Sequence, residues 1–288
     1  MIDIHCHFFR SPMQGKAIFA EKELLYAMDQ LGIEQAVILP VVSPECQFGP
    51  CFNSEYVLNA YKKYPDRFIA FCNLDPRNGL NGPETDFSWI LEEYKESGAK
   101  GVGEITANLF FDDSRCKNLF THCGAQKMPI LFHLAERVSN NIYGLADDLG
   151  LPRLEKMLIE CPDTIFIGHA MAFWSEISGD NSEAIRNIYP KGPILPGGRL
   201  STLLQQYPNL YGDLSAGSGF NAISRDPEFG FSFLERFQDQ LLFGTDLCAI
   251  GQKTPIITYL KEAMEEGRLS LTAFKKISEE NAKKILSL

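Results

Sequence analysis

The stretch Met1-Ile2-Asp3-Ile4-His5-Cys6-His7 decides how the rest of the sequence is read. As a β-strand it alternates faces, so Asp3, His5 and His7 share one side and Ile2, Ile4 and Cys6 the other. Two imidazoles on one rigid strand are half of a metal site, because neutral imidazole is the commonest side-chain ligand and a distant His and a carboxylate complete the set. His133, His169 and Asp246 are placed to supply them. Taken alone, His-x-His also describes the polar end of a half-buried strand, so the reading depends on where the other donors fall.

Outward from this stretch, β-branched and aromatic runs alternate with amphipathic helical segments, the pattern of βα units around a parallel sheet. The strands are expected at Ile2–His7, Gln35–Val41, Phe68–Leu74, Lys100–Thr106, Pro129–Leu134, Thr164–His169, Asn209–Ser215 and Leu241–Asp246. Helices are expected at Glu21–Leu31, Asn53–Tyr64, Phe87–Ser97, Ser114–Lys127, Leu154–Cys161, Leu200–Tyr207, Phe229–Phe237 and Pro255–Glu265, with an extra helix over Ser270–Leu288. Eight such units predict an α/β (β/α)8 TIM barrel spanning residues 1–288 as a single domain, with an open doubly wound sheet as the alternative. The connection Ala170–Arg199, after the sixth strand, is too long and too rich in Pro and Gly for a minimal βα loop. It is read as a lid or specificity wall, with a subunit contact as the competing role.

Composition bounds the function. With 45% hydrophobic and 22% charged residues, the 288-residue chain has the makings of a large core. No stretch approaches the roughly 20 apolar residues of a membrane span, and the first residues lack a signal-peptide pattern. The eight Cys show no framework spacing, which fits reduced thiols and a cytoplasmic location; only Cys46 and Cys51 form a close loop pair. A net charge of −10 disfavours nucleic-acid binding, which relies on Lys and Arg against phosphate. A small-molecule substrate is expected, and self-association of the chain is compatible with the sequence.

On this frame His5 and His7 end strand one, Glu104 lies in strand four, His133 ends strand five, His169 ends strand six and Asp246 ends strand eight. Active sites of such barrels sit at the C-terminal ends of the strands. His122 falls inside a helix on the outside and is expected to be inert. Face parity lets Glu104 align with Val102 and Thr106, opposite Gly101 and Gly103, and lets Asp246 align with Leu242 and Gly244. Asp3 is expected to make a buried structural hydrogen bond, Asp213 to support neighbouring loops, and Cys248 to be an inert thiol. Among the loop residues Asp112, Asp113, Arg137, Arg199 and Arg225, Arg137 is taken as the substrate-binding cation.

Asp3-x-His5-x-His7, the His of strands five and six, and Phe243-Gly244-Thr245-Asp246 resemble the amidohydrolase superfamily, in particular its amidohydrolase-related branch of lactonases and decarboxylases. Asn281-Ala282-Lys283-Lys284-Ile285-Leu286 is similar to that branch's closing helix, whereas Gly103-Glu104-Ile105 is similar to the metal-bridging Glu of TatD-like hydrolases. The resemblance implies that His5, His7, Glu104, His133, His169 and Asp246 hold one or two divalent ions, zinc first, with manganese or iron as alternatives. It also implies that Asp246 is the catalytic base and that His169 is a ligand or polarises the substrate carbonyl. Such an ion brings a bound water to a pKa of about 7. The expected activity is hydrolysis of a small ester, lactone or amide. The alternatives are non-oxidative decarboxylation of an aromatic or unsaturated acid, a non-catalytic metal-binding protein, and a TatD-like nuclease, against which the charge counts.

Overall fold

β1 (Ile2–Cys6) is buried along its whole length, as a strand must be when its sheet closes on itself. It pairs in parallel with β2 (Gln35–Ile38), and β2 with β3 (Phe68–Ala70). A second parallel arc follows: β4 (Val102–Ile105), β5 (Ile130–Ala135), β7 (Phe166–His169), β8 (Leu210–Asp213) and β9 (Leu241–Leu242), with the two-residue β6 (Leu145–Ala146) on the end of β5. This is the computed structural model of the chain, and it describes residues 1–9, 18–46, 53–136 and 143–288.

The two arcs close into one ring. Cys72 and Val102 form a parallel bridge between β3 and β4, and Cys72 N–H donates to Gly101 O at 3.0 Å. On the other side Ile4 N–H donates to Phe243 O, Asp246 N–H to His5 O and His7 N–H to Leu247 O, at 2.8–2.9 Å. The result is the expected eight-stranded α/β barrel.

Two apolar layers sit on either side of the ring. The interior holds Ile2, Ile4, Val37, Leu39, Ile69, Phe71, Leu131, Ile167, Tyr211 and Leu242. Gly101, just before β4, leaves a space for Phe71, whose ring would lie 2.4 Å from a Cβ there. The outer layer packs the strands against α1 (Glu21–Leu31), α2 (Ser54–Lys63), α3 (Ser88–Glu96), α4 (Ser114–Ala125), α5 (Pro152–Glu160) and later helices.

Several expectations are corrected. The first strand does not keep strict alternation: Ile2 and Ile4 lie in the interior, Cys6 in the outer layer, and the register with β2 shifts between Asp3 and Cys6. Ile4 therefore does not face away from the barrel interior. A similar shift between Val102 and Ile105 breaks the simple parity of β4. The eighth barrel strand is only Leu241–Leu242, and Asp246 stands beyond it at φ 57°. After β7 come α6 (Met171–Trp174), a 3-10 turn at Ser175–Ile177, and α7 (Arg199–Gln206). After β8 there are two helices where one was expected, α8 (Ala216–Ser224) and α9 (Pro227–Arg236). α10 (Pro255–Glu265) matches, and the last segment is broken into α11 (Leu271–Lys275), a π turn over Lys276–Glu280 and α12 (Asn281–Leu286).

Candidate metal centre

The first-strand His pair is positioned by two acceptors, a carboxylate and a backbone carbonyl. His5 Nδ1–H donates to Asp213 Oδ2 at 2.7 Å, and His7 Nδ1–H donates to Leu39 O at 2.8 Å. His169 Nδ1 is 3.0 Å from Asp213 Oδ2 and 3.0 Å from Ser215 Oγ, while Ser215 itself donates to Asp213 at 2.7 Å. Each ring thus spends Nδ1–H on an acceptor, which fixes its tautomer and leaves the Nε2 lone pair for the centre. His5 Nε2 and His7 Nε2 are 3.0 Å apart. Two facing lone pairs repel, so that contact needs a proton or a cation.

Glu104 faces the same space from β4. Its Oε1 is 2.7 Å from His133 Nδ1, and its Oε2 accepts from Tyr143 Oη at 3.2 Å and lies 3.6 Å from His7 Nε2 and 3.9 Å from His5 Nε2. Asp246 Oδ1 completes the ring at 3.7 Å from His5 Nε2 and 3.6 Å from His7 Nε2. Three sets of donors lie within 4.8 Å of one another: His5, His169 and Asp246; His5, His7 and Glu104; Glu104, His133 and His169. All six residues singled out from the sequence as donors are brought together.

The electrostatics are those of a cation-seeking cluster. Glu104 and Asp213 are almost fully buried, and the ion-pairing partners they have among the described residues are histidines. Burial opposes ionisation of Glu104, but the hydrogen bond and charge of His133 and the charges of His5 and His169 outweigh it and hold the carboxyl far below its usual range. Asp213 follows the same balance against His5 and His169. Burial likewise opposes charge on His5, yet Asp246, Asp213 and Glu104 raise it to about 10. His7 is pushed down by burial and by the neighbouring His5 charge, and His133 mainly by burial. Several buried anions must be met by positive charge, and a divalent ion coordinated by the Nε2 atoms and carboxylates meets them without protonating the rings. The donor set is the His and carboxylate mixture that zinc, manganese and iron accept.

Other sequence candidates fall elsewhere. Arg137 lies outside the described residues, as does Cys51 of the close loop pair. His122 packs edge-on against Phe87 on α4. Asp112 pairs with Arg153 and Lys156, Asp113 caps α4 and pairs with Arg115, and Arg199 pairs with Glu155. Asp3 accepts from Thr245 N–H and Oγ1–H, as expected of a structural hydrogen bond, and burial raises it to about 6. Cys248 is tied to Gln252. Two side chains escaped the sequence reading. Asp213, expected only to support loops, is the shared acceptor of two site imidazoles, and no sequence pattern singles out Ser215.

No protein-family model and no curated protein matches this sequence. Solved structures do match. A zinc-containing amidohydrolase from Burkholderia multivorans covers 100% of this chain and 99% of its own, at TM-score 0.66 and 14% identity. A dihydroxybenzoic acid decarboxylase from Polaromonas, with manganese and the inhibitor 2-nitroresorcinol, covers 100% and 96% at TM-score 0.63 and 17% identity. A probable 2-pyrone-4,6-dicarboxylic acid hydrolase from Acinetobacter baumannii, with citric acid bound, covers 100% and 99% at TM-score 0.59 and 13% identity. The chain shares their fold. An uncharacterised TIM-barrel protein from Bordetella bronchiseptica is also similar, at TM-score 0.62 and 16% identity. At these identities the likeness is one of architecture.

Proposed function

We propose that the chain is a metal-dependent hydrolase of a small ester, lactone, amide or related bond. The observation that carries this is the sharing of Glu104 between two donor sets, one with His5 and His7 and one with His133 and His169. With one oxygen toward each set, Glu104 would contribute to holding an ion in either. Asp246 lies against the first set and is the most exposed member of the cluster, its side chain at 27% exposure against 21% for His133. A divalent ion held here supplies Lewis acidity and brings the pKa of a water molecule to about 7. With such an ion present, Asp246, a carboxylate at the exposed edge of the centre, would be the group to take up a water proton and return it to the leaving group. His169, locked by Asp213 and Ser215, presents Nε2 either as a donor atom or toward the substrate oxygen. The buried Glu104, His5 and His7 exclude bulk water and keep the charge of the centre fixed.

Metal analysis of the purified protein, repeated on Glu104→Gln, tests the reading. Up to two ions per chain are expected, with the variant losing one of them selectively. One tightly held ion that survives Glu104→Gln would refute the shared role and leave a mononuclear hydrolase. Decarboxylation is the second reading, favoured by the fold shared with the manganese-containing dihydroxybenzoic acid decarboxylase. Release of carbon dioxide from aromatic acids, against release of acid from lactones, separates the two.

A further inference from the structure

The long connection after β7 is a loop closed at its own neck. Gly179 N–H donates to Leu195 O at 2.9 Å, and Leu195 N–H donates to Ser178 Oγ at 2.9 Å. Neither Gly179 nor Gly198 has room for a side chain, since a Cβ would lie 2.0 Å from Pro196 O and from Ile177 O respectively. The loop is also pinned to the helices after β8: Ile194 N–H donates to Asp226 Oδ2 at 2.9 Å, and Asn221 Nδ2 donates to Pro190 O at 3.2 Å. These bonds hold the segment between them, with Ile188 and Tyr189 each left 51% exposed.

Tyr189 lies on Gly217, where a Cβ would meet the ring Cζ and Oη at 3.0 Å. Gly217 is two residues beyond Ser215, whose Oγ is 3.0 Å from His169 Nδ1, so the phenol covers the start of the helix that follows the Ser215 end of the site. Burial, and then the negative Asp246 carboxylate, push the phenol's pKa up, in keeping with that position. Among the described residues the Tyr189 hydroxyl has no hydrogen-bond partner. The same ring lines a small cavity with Met171, Trp174, Ser218 and Arg225. A half-exposed aromatic face on a pinned loop, within electrostatic reach of the one solvent-facing carboxylate of the cluster, is a preformed contact surface for a ligand.

We propose that Tyr189 is a specificity-determining residue: its ring is the wall against which the apolar body of the substrate packs while the reacting group is held at the metal centre. The proposal rests on the metal reading above and adds to it the residue that selects among substrates. Gly217 is small because the ring needs its place, and the glycine neck keeps the wall at a fixed distance.

The test uses acetate and benzoate as probes of the zinc-loaded protein, with affinities measured by calorimetry. Both present a carboxylate, and only benzoate carries a ring for Tyr189 to meet. The wild type is expected to prefer benzoate, Tyr189→Ala to lose about tenfold in benzoate affinity with acetate unchanged, and Tyr189→Phe to keep the preference. Zinc content of each sample reads the centre separately, because Tyr189 supplies no donor to it. A chain that takes up no zinc overturns both readings. Equal affinities in a zinc-loaded wild type, or an undiminished benzoate preference in Tyr189→Ala, overturns the role of Tyr189 alone.

Discussion

Asp213 shows how much a single side chain governs at this site. It is wholly buried, accepts from His5 and from His169, and takes a third bond from Ser215. Removing its charge while keeping its shape frees both imidazoles to rotate or change tautomer. Asp213→Asn is therefore expected to fold, to bind zinc roughly 10–100-fold more weakly, and to lose activity in proportion. Zinc titration against a chromogenic chelator measures this, and unchanged affinity would mean that packing alone sets the two rings. Asp246→Asn should separate differently: near-normal folding but largely abolished turnover, since an amide cannot accept the proton. His122→Ala, remote on α4, should be nearly silent in the same assay, and an equal loss in both variants would indicate damage to the fold. The six clustered side chains were legible in the sequence as neighbours because they sit at or near the C-terminal side of strands, and strands can be counted. Asp213 was undervalued because its importance comes from two histidines brought to it from β1 and β7, a relation that no local pattern contains.

At the scale of elements, the sequence located the helices by their amphipathic stripes better than it located the strand ends. Glu21–Leu31 and Pro255–Glu265 agree with the observed helices residue for residue. The phase of β1 could not be read, because the register shift between Asp3 and Cys6 depends on hydrogen bonds with β2 and with the segment after β9. α8 was missed since Ala216-Gly217-Ser218-Gly219 has poor helix propensity and is held helical by tertiary packing. The start of α5 offers a quantitative check remote from the site. Asp147 is buried and accepts from the N–H groups of Leu154, Arg153 and Asp148, yet burial outweighs these bonds and raises its carboxyl from 3.8 to about 6. The folded chain holds this proton more tightly than the unfolded chain. Its contribution to stability is thus complete below about pH 3.8 and is lost as the pH rises through 6. Asp147→Asn removes the titration, so relative to wild type the variant should gain roughly 2–3 kcal/mol between pH 4 and pH 8. Urea midpoints of both proteins across that range give the difference, and parallel curves would show that Asp147 titrates normally.

For the whole molecule, the question is what lets a ring with one two-residue strand stay closed. β9 is short, and Phe243 N–H just beyond it donates to Ile277 O in the π turn at 2.9 Å, so the C-terminal segment continues the support that the strand lacks. Asn281 Nδ2 adds bonds to Leu241 O at 2.8 Å and Gln238 O at 2.7 Å. From the next turns Ala282, Ile285 and Leu286 join the interior cluster with Ile2, Ile4 and Leu242, which makes α12 a plug for the barrel as well as a brace for its weakest strand. The plug and the metal centre use separate residues of the same strands: Ile2 and Ile4 meet α12's cluster, while His5 and His7 meet the donors. Leu286→Ala, by emptying part of this cluster, is expected to cost about 2–5 kcal/mol of stability, read from denaturant unfolding. The folded fraction should keep its zinc content, because no donor is touched and the strand ends that carry donors are held by the hydrogen bonds from Ile4, His7 and Asp246. Loss of zinc in step with stability would instead mean that ring closure and the metal centre are one cooperative unit, with the plug acting on the site through β1 and β9.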